Sequence, residues 1–484
     1  MTAVGHGYGG AVLADRVLPP EPITSLSGYE RRGGGAAIGR LADVGRDAVL
    51  DELERSGLRG RGGAGFPTAT KWRSVLLGGA EAGERYAVAN GAEGEPGTYK
   101  DRPLLHRNPY QVIEGLAVAA RVIGAQEAYV AMKASFAPQI AAVERALEEM
   151  SAAGWLDGLR IYVVKGPDEY LFGEEKGLLE VIEGEDPLPR LFPPYLYGLF
   201  AEQPQFGWSA PTAGSDASGP ASNPTLVNNV ETLAHAAAIV AYGAEWFREL
   251  GTDGSPGTII CTVCGDTNRA GFAEIPMGTP LIEAIEHIGG GMPVGRSIKG
   301  VLSGVANPVL TADQLSTPLS YEAFDAIGSG LGAAGFMVFD DRRDMVRVAH
   351  AVSRFLYIES CGQCPACKFG TGEVTARLEQ LILEGGSPED LDTIAARLRT
   401  VTDANRCYLG RQEQVVVSSL LSAFPADAAL ALTGVHTDPI APITQLVEIR
   451  DGRAVWDPQQ PCKRPDWTYA ETIPEIFVRR RRPR

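Results

Sequence analysis

The chain has no apolar run long enough to cross a bilayer. Its longest, such as Gly115 to Ala125, are short or interrupted, against the roughly 20 residues that a spanning helix needs. The opening M-T-A-V-G-H-G-Y-G-G has neither the basic start nor the apolar core of a signal peptide. There is no surplus of positive charge either. Lys and Arg number 44 against 60 Asp and Glu, a formal net charge of −16, which argues against nucleic acid as the main partner. The terminal run Arg479 to Arg484 goes the other way and reads as a solvated end. The seven cysteines are an odd number without the spacing of a disulfide framework. No internal repeat is visible. These absences predict a cytoplasmic protein, free or docked peripherally on larger machinery, and 484 residues leave room for two to four domains.

What is present begins with E-S-C-G-Q-C-P-A-C-K-F-G-T-G, residues 359–372. Cys361, Cys364 and Cys367 are each separated by two residues, and Cys407 follows in N-R-C-Y-L-G. Such gaps let a short loop wrap thiolates around one inorganic core, and four cysteine thiolates of this kind hold a cubane iron–sulfur cluster. Structural zinc is the rival, although its sites are usually built from two separated Cys or Cys/His pairs. Inert buried cysteines fit less well beside Gly and Pro. Cys261 and Cys264 form a further Cys-x-x-Cys on an expected strand; their side chains face opposite ways there, and both read as structural.

A second signal lies near the other end of the chain. Gly57, Gly60, Gly62, Gly63 and Gly65 crowd nine positions in L-R-G-R-G-G-A-G-F-P-T-A-T-K-W and the residue before it. Glycine permits positive φ and lets backbone N–H groups approach an anion, and Arg61 and Lys71 add positive charge. A phosphate-bearing ligand follows, although the run is neither a Walker loop nor a G-x-G-x-x-G fingerprint and also suits a flexible loop. Tyr86 to Asn90 predicts a strand, with Glu93 and Glu95 just past its end, where ligands of open α/β sheets bind. A solvated acidic turn is the plainer reading of that glutamate pair. Y-L-F-G-E-E-K-G offers Gly173 for close approach and Glu174 and Glu175 as acceptors. Tyr195, after a Pro pair, suits base stacking. Asn228 and Asn229 suit either ring-edge recognition or helix capping.

The elements between alternate. Helices are expected at 47–56, 109–124, 138–152 and 232–250, and strands at 128–132 and 160–164, which implies an α/β layer domain. Residues 203–220 read as a loop. The organisation expected is an N-terminal arm (1–45), an α/β ligand-binding domain (46–250), a small mixed β domain (257–345), a helical region with the cysteines (346–435) and a tail (436–484). That tail carries a hairpin around Asp451-Gly452 and lies along another surface.

Taken as an ordered set, G-R-G-G-A-G-F-P-T, E-P-G-T-Y-K-D-R, Y-L-F-G-E-E, V-N-N-V-E-T and E-S-C-G-Q-C-P-A-C with C-Y-L-G resemble the flavoprotein subunit that oxidises NADH in respiratory complex I. The same module serves NAD-linked hydrogenases and formate dehydrogenases. The resemblance covers roughly residues 45 to 435. It implies an α/β FMN/NADH-binding domain, a β-grasp domain and a C-terminal helical bundle carrying one [4Fe–4S] cluster. It implies an NADH dehydrogenase: hydride transfer between NADH and FMN, then single electrons to the cluster and a partner. That partner would be a separate [2Fe–2S] thioredoxin-like or ferredoxin-type subunit of a complex I, hydrogenase or formate dehydrogenase assembly. Carried over by position, Gly60, Arg61, Gly62, Gly63, Lys71, Asn90, Tyr170, Gly173, Glu174, Asn228 and Asn229 become FMN contacts. Phe66 and Tyr195 become aromatic neighbours of NADH, and Glu93, Glu95 and Glu175 its polar contacts. Cys361, Cys364, Cys367 and Cys407 become the cluster ligands. Three positions depart from the family pattern: Ala92 where Asp is usual, Ser74 where an aromatic is, and Phe192 where Lys is. They support an alternative, an electron-relay subunit that keeps the cluster but no longer turns over NADH.

Overall fold

The computed structural model describes residues 14–77, 84–201, 222–434 and 443–472. The loop expected at 203–220 and the run Arg479 to Arg484 therefore lie outside the described residues. The chain divides into two compact units: 1–93, 100–260 and 273–279 form the first, and 94–99, 261–272 and 280–484 the second.

The first unit holds helices α1 (Leu26–Glu30), α2 (Ala36–Ser56), α3 (Thr68–Leu77), α4 (Asp101–Arg107), α5 (Pro109–Ile123), α6 (Ala137–Ala152), α7 (Glu175–Ile182), α8 (Val230–Tyr242) and α9 (Ala244–Arg248), and strands β1 (Tyr86–Asn90), β2 (Glu127–Lys133), β3 (Arg160–Gly166) and β4 (Thr225–Asn229). The strands form one parallel sheet in the order β3-β2-β1-β4. A parallel sheet needs cover on both faces, which the β-α alternation supplies. Helix α5 starts on Pro109, stops at Gly124 in a left-handed conformation, and buries nearly every side chain between; it is the core of the unit. Helix α2 begins at Ala36, within the segment expected to be an irregular arm, and breaks at Gly45 (φ 78°). Its start is fixed by buried Glu114, whose carboxylate accepts the N–H groups of Gly35, Ala37 and Ile38. Those are the donors that a helix start leaves unpaired, and a negative charge there is favourable. The single helix expected at 232–250 is two, divided at Gly243.

The second unit opens with β5 (Thr258–Gly265) and β6 (Gly271–Pro276), both of which begin or end in the first unit, followed by α10 (Leu281–Gly289), β7 (Ile298–Ser303), β8 (Leu310–Thr311), α11 (Tyr321–Ala326) and β9 (Gly335–Asp340). These strands make a mixed sheet in the order β6-β5-β9-β7-β8. Cys261 and Cys264 are buried on β5 and bonded to no other cysteine. Helices α12 (Met345–Glu359), α13 (Pro365–Glu384), α14 (Pro388–Thr400), α15 (Leu409–Ala423) and α16 (Pro425–Ala431) follow, with α12 packed on both α13 and α15. The hairpin is present as β10 (Leu446–Arg450) and β11 (Arg453–Trp456). Its turn residues Asp451 and Gly452 both have positive φ, as a two-residue turn matched to strand twist requires. Among the described residues no single helix is long and apolar enough to cross a membrane; α15 and α16, bent by 91°, reach that length and composition only as a pair.

Candidate functional site

The strand order 3-2-1-4 reverses between β1 and β4, and ligands of open α/β sheets bind outside the strand ends at such a switch point. Asn90 and Asn229 are the last residues of those two strands and pair in register. Several of the predicted residues meet around these strand ends. A Cβ on Gly62 would lie 3.2 Å from the Asn229 Cβ, so the glycine loop rests against the end of β4. The Arg61 N–H donates to Thr232 Oγ1 (2.8 Å), tying the loop to the first turn of α8. Gly63 has φ +123°, where an L side chain is strained. From the other side, Asn90 Nδ2 donates to the Gly173 carbonyl (2.9 Å) and Asn90 Oδ1 accepts the Ala92 N–H (3.1 Å). Asn228 Oδ1 accepts Trp72 Nε1–H (2.7 Å), and Lys71 pairs with Glu175 at 2.7 Å. Glu174 caps α7 through the N–H groups of Lys176 and Gly177; burial nevertheless pushes its carboxyl up to about 7. Phe66 (52 % exposed) and Tyr195 (41 % exposed) are open aromatic surfaces. Tyr170 opens a short 3-10 turn ending at Gly173.

Two predicted residues have their polar groups turned inward. The buried Glu93 carboxylate accepts the N–H groups of Lys100 and Asp101 and pairs with Arg102 at 2.7 Å. Buried Arg61 gives its guanidinium to the carbonyls of Arg59, Pro256 and Thr258. With its N–H on Thr232, Arg61 braces the loop through both backbone and side chain. Glu95 belongs to the second unit, where its carboxylate accepts the Val305 N–H at 2.6 Å. The departures from the family pattern sit quietly: Ala92 is core, the Ser74 hydroxyl donates to the Lys71 carbonyl, and the Phe192 ring lies 6.2 Å from that of Tyr197.

Sequence reasoning missed the charges beneath the strand ends. Lys100 is buried, 2.5 Å from Asp101 and 3.0 Å from Glu231, and donates to Asn229 Oδ1 at 3.0 Å. Asn229 completes the ring by donating to Asp101 (2.8 Å) and capping α8 through the Glu231 N–H. Burial alone would lower Lys100, but its two carboxylates outweigh it and the ammonium is held charged. Burial lifts Asp101 to about 6; at Glu231 the same effect is overcome by Lys100, which holds the acid near 2. The signal was in view, since Lys100, Asp101 and Glu231 all sit inside the motifs named above.

In the second unit, Cys364 caps α13, Cys367 lies in its first turn, and Cys407 precedes α15 by two residues. Two helix starts, with their positive dipole ends, thus flank these cysteines. Polar hydrogens reach the sulfurs: the Arg406 N–H to Cys364 (3.4 Å), the Gln363 amide to Cys361 (3.6 Å), and the Ser360 hydroxyl beside Cys367 (3.4 Å). None of the cysteines is in a disulfide. Burial, with the neighbouring Cys364 and Cys361, pushes the Cys367 thiol up to about 11. Among the described residues no three His, Cys, Asp or Glu side chains stand at the spacing of one metal ion's ligands.

Residues 53–238 match the family model described as the Nuo51 FMN-binding domain, and residues 347–430 match that of the NADH-ubiquinone oxidoreductase-F iron-sulfur binding region. The second of the NADH-quinone oxidoreductase F-subunits of Rhizobium meliloti (strain 1021) is 36 % identical over 415 residues, covering 83 % of this chain and 93 % of that protein. The chain belongs to the family of NADH-quinone oxidoreductase F-subunits. The F-subunit of Aquifex aeolicus (strain VF5) is 31 % identical over 426 residues, with 86 % and 93 % covered. Among solved structures, an NAD+-reducing [NiFe]-hydrogenase in the air-oxidized state superposes with a TM-score of 0.71 at 33 % identity, over 86 % of this chain and 66 % of that one. As a member of this family the chain takes FMN and a [4Fe–4S] cluster. Its residues fit both groups. Four unbridged thiols, with N–H groups on Cys364 and Cys361 and a hydroxyl beside Cys367, suit an anionic cluster. A glycine loop of positive φ at the switch point, bordered by four amide and carboxyl side chains, suits a flavin phosphate and ring edge.

Proposed function

We propose that this chain is the NADH-oxidising flavoprotein subunit of a multi-subunit oxidoreductase. The observation that carries it is the meeting of the glycine loop, the Asn90–Gly173 bond and the Asn228-Asn229 pair at the sheet's switch point, in a chain that also holds the four-cysteine region. Bound FMN supplies the chemistry that side chains lack, accepting a hydride from NADH and passing electrons on singly to an iron–sulfur centre.

The protein's own part is position. The loop of Gly60, Arg61, Gly62 and Gly63 would border the flavin phosphate; the Gly60 and Arg61 N–H groups brace it on Phe66 and Thr232, leaving the contact to Gly62 and Gly63, with Lys71 as counter-charge. Asn90, Tyr170, Gly173, Glu174, Asn228 and Asn229 border the ring system and ribityl chain. Phe66 and Tyr195 offer stacking surfaces for the nucleotide, and Glu175 accepts its hydroxyl and amide protons. Glu93 is better read as a structural partner of Arg102 than as a nucleotide contact. Cys361, Cys364, Cys367 and Cys407 hold the cluster, and the arrangement requires no acid–base residue. On the family's pattern residues 257–345 form a β-grasp domain and 346–435 a helical bundle. Electrons leave to a separate [2Fe–2S] or ferredoxin-type subunit, with the protein soluble or peripheral to a membrane.

Glu175→Ala tests the nucleotide side. A hydrogen bond to a charged group contributes about 1.5–3 kcal/mol, so the Kd for NADH should rise roughly ten- to a hundredfold in an equilibrium binding titration, with FMN retained. An unchanged Kd would remove Glu175 from the site. No NADH–ferricyanide activity in the flavin-loaded wild type would favour the relay alternative.

A further inference from the structure

The two residues that bracket the cysteine triplet are held by a segment far along the chain. Glu359 lies two positions before Cys361, at the end of α12, and is fully buried. Its carboxylate oxygens each lie 3.0 Å from Lys463 Nζ, and the Gln460 amide donates to one of them at 3.3 Å. Lys368 directly follows Cys367. Its ammonium donates to the Pro465 carbonyl (2.6 Å), and also to Ser360 (2.7 Å) and Tyr357 (3.3 Å). Two more bonds fix the same segment to α12: Trp467 Nε1–H to the Ile358 carbonyl (2.9 Å) and Arg354 to the Pro461 carbonyl (2.7 Å). The segment is also knit to itself. Arg464 N–H donates to Thr468, Trp467 N–H to Arg464 and Ala470 N–H to Cys462. It lies beyond both family-model matches, the second of which ends at residue 430.

We propose that residues 460–467 form a strap that locks the cluster loop, so that Lys463, Gln460 and Trp467 are positioning residues for the iron–sulfur centre. A loop carrying three ligands within seven residues has many conformations, and Gly362 (φ +82°) loosens it further. Fixing Glu359 on one side and Lys368 on the other removes most of that freedom, and both fixings end on the same strap. The buried Lys463 cannot let go of Glu359 cheaply, because an unpaired charge would remain in the interior. Lys368 is meanwhile held on carbonyls next to Cys367, where its positive charge would offset that of an anionic cluster. The proposal rests on the four cysteines being the cluster ligands.

The test uses the full chain with FMN and cluster loaded. Glu359→Gln with Lys463→Met removes the ion pair without stranding a charge. Trp467→Phe removes one N–H bond and little else. Lys463→Arg should behave as wild type. Three quantities are read: iron release to a ferrous chelator, the electron paramagnetic resonance spectrum of the dithionite-reduced cluster, and amide hydrogen exchange over residues 359–368. The double variant should load a normal cluster but release iron roughly tenfold faster, with faster exchange in the loop and a shifted spectrum, as expected for loss of charge-assisted bonds. Trp467→Phe should move the same way by a smaller factor, and it decides the matter if the double variant does not fold. Wild-type release and exchange rates in the variants would overturn the strap. Wild-type protein without iron would count against the cluster reading instead, while the exchange rates still judge the strap.

Discussion

Lys100→Met is the sharpest perturbation of the first unit. The ammonium lies within 3.0 Å of Asp101, Glu231 and Asn229 in a fully buried setting. Methionine fills the space but leaves two interior carboxylates without their cation, and breaking a buried pair in this way costs about 3–5 kcal/mol. The loss must depend on pH. Wild-type Glu231 sits near 2, below its unfolded value, so its contribution is present above the unfolded pKa and lost only as pH falls through about 2. Asp101, lifted to about 6, has the opposite sign and loses its contribution as pH rises through that value. Without Lys100, burial raises both acids further, the native state takes up protons, and the variant recovers stability on acidification. Thermal unfolding near neutral pH should therefore show a first-unit midpoint lower by roughly 6–20 °C, using about 2–4 °C per kcal/mol. The deficit should shrink near pH 5, and FMN should be released, because Asn229 loses its anchor. An undiminished midpoint, or a deficit equal at both pH values, would refute the reasoning.

Two further outcomes are expected. Gly63→Val forces a β-branched residue into φ +123° and should abolish FMN retention while far-UV circular dichroism stays native; full flavin occupancy would exclude this loop as the phosphate site. Glu413 is buried on α15, with one oxygen on the Ser353 hydroxyl at 2.6 Å, and burial pushes it up to about 8. A raised carboxyl contributes stability below its unfolded pKa and loses it as pH rises through the folded value, so Glu413→Gln should melt higher than wild type above pH 8 and no higher near pH 5.

The α/β core and the hairpin were legible because periodic patterns and turn chemistry act locally. The β2 strand, the Pro109 start of α5 and the Asp451-Gly452 turn all depend on a few adjacent residues. The glycine loop and the cysteine triplet were legible for the same reason. Long-range pairing was not. Nothing near Glu93 shows that its carboxylate turns back onto Arg102 instead of outward, and nothing near Glu359 points to Lys463, 104 positions later. Helix α2 was missed before residue 47 because Gly39 and Gly45 dilute its period, while Glu114, which fixes its start, comes 79 residues after Gly35. The tail was expected along another surface without a target; its polar contacts with α12 could only be seen once folded.

The central claim is that electrons from NADH enter this chain at FMN and reach its cluster. The direct measurement is an anaerobic titration of the loaded protein with NADH, following flavin absorbance and the paramagnetic resonance of the cluster in the same sample. Carrying about four iron per chain on four thiolates, the protein should show flavin bleaching followed by a reduced-cluster signal that Cys364→Ser lacks. Flavin that stays oxidised under excess NADH, yet bleaches with dithionite, would contradict the account.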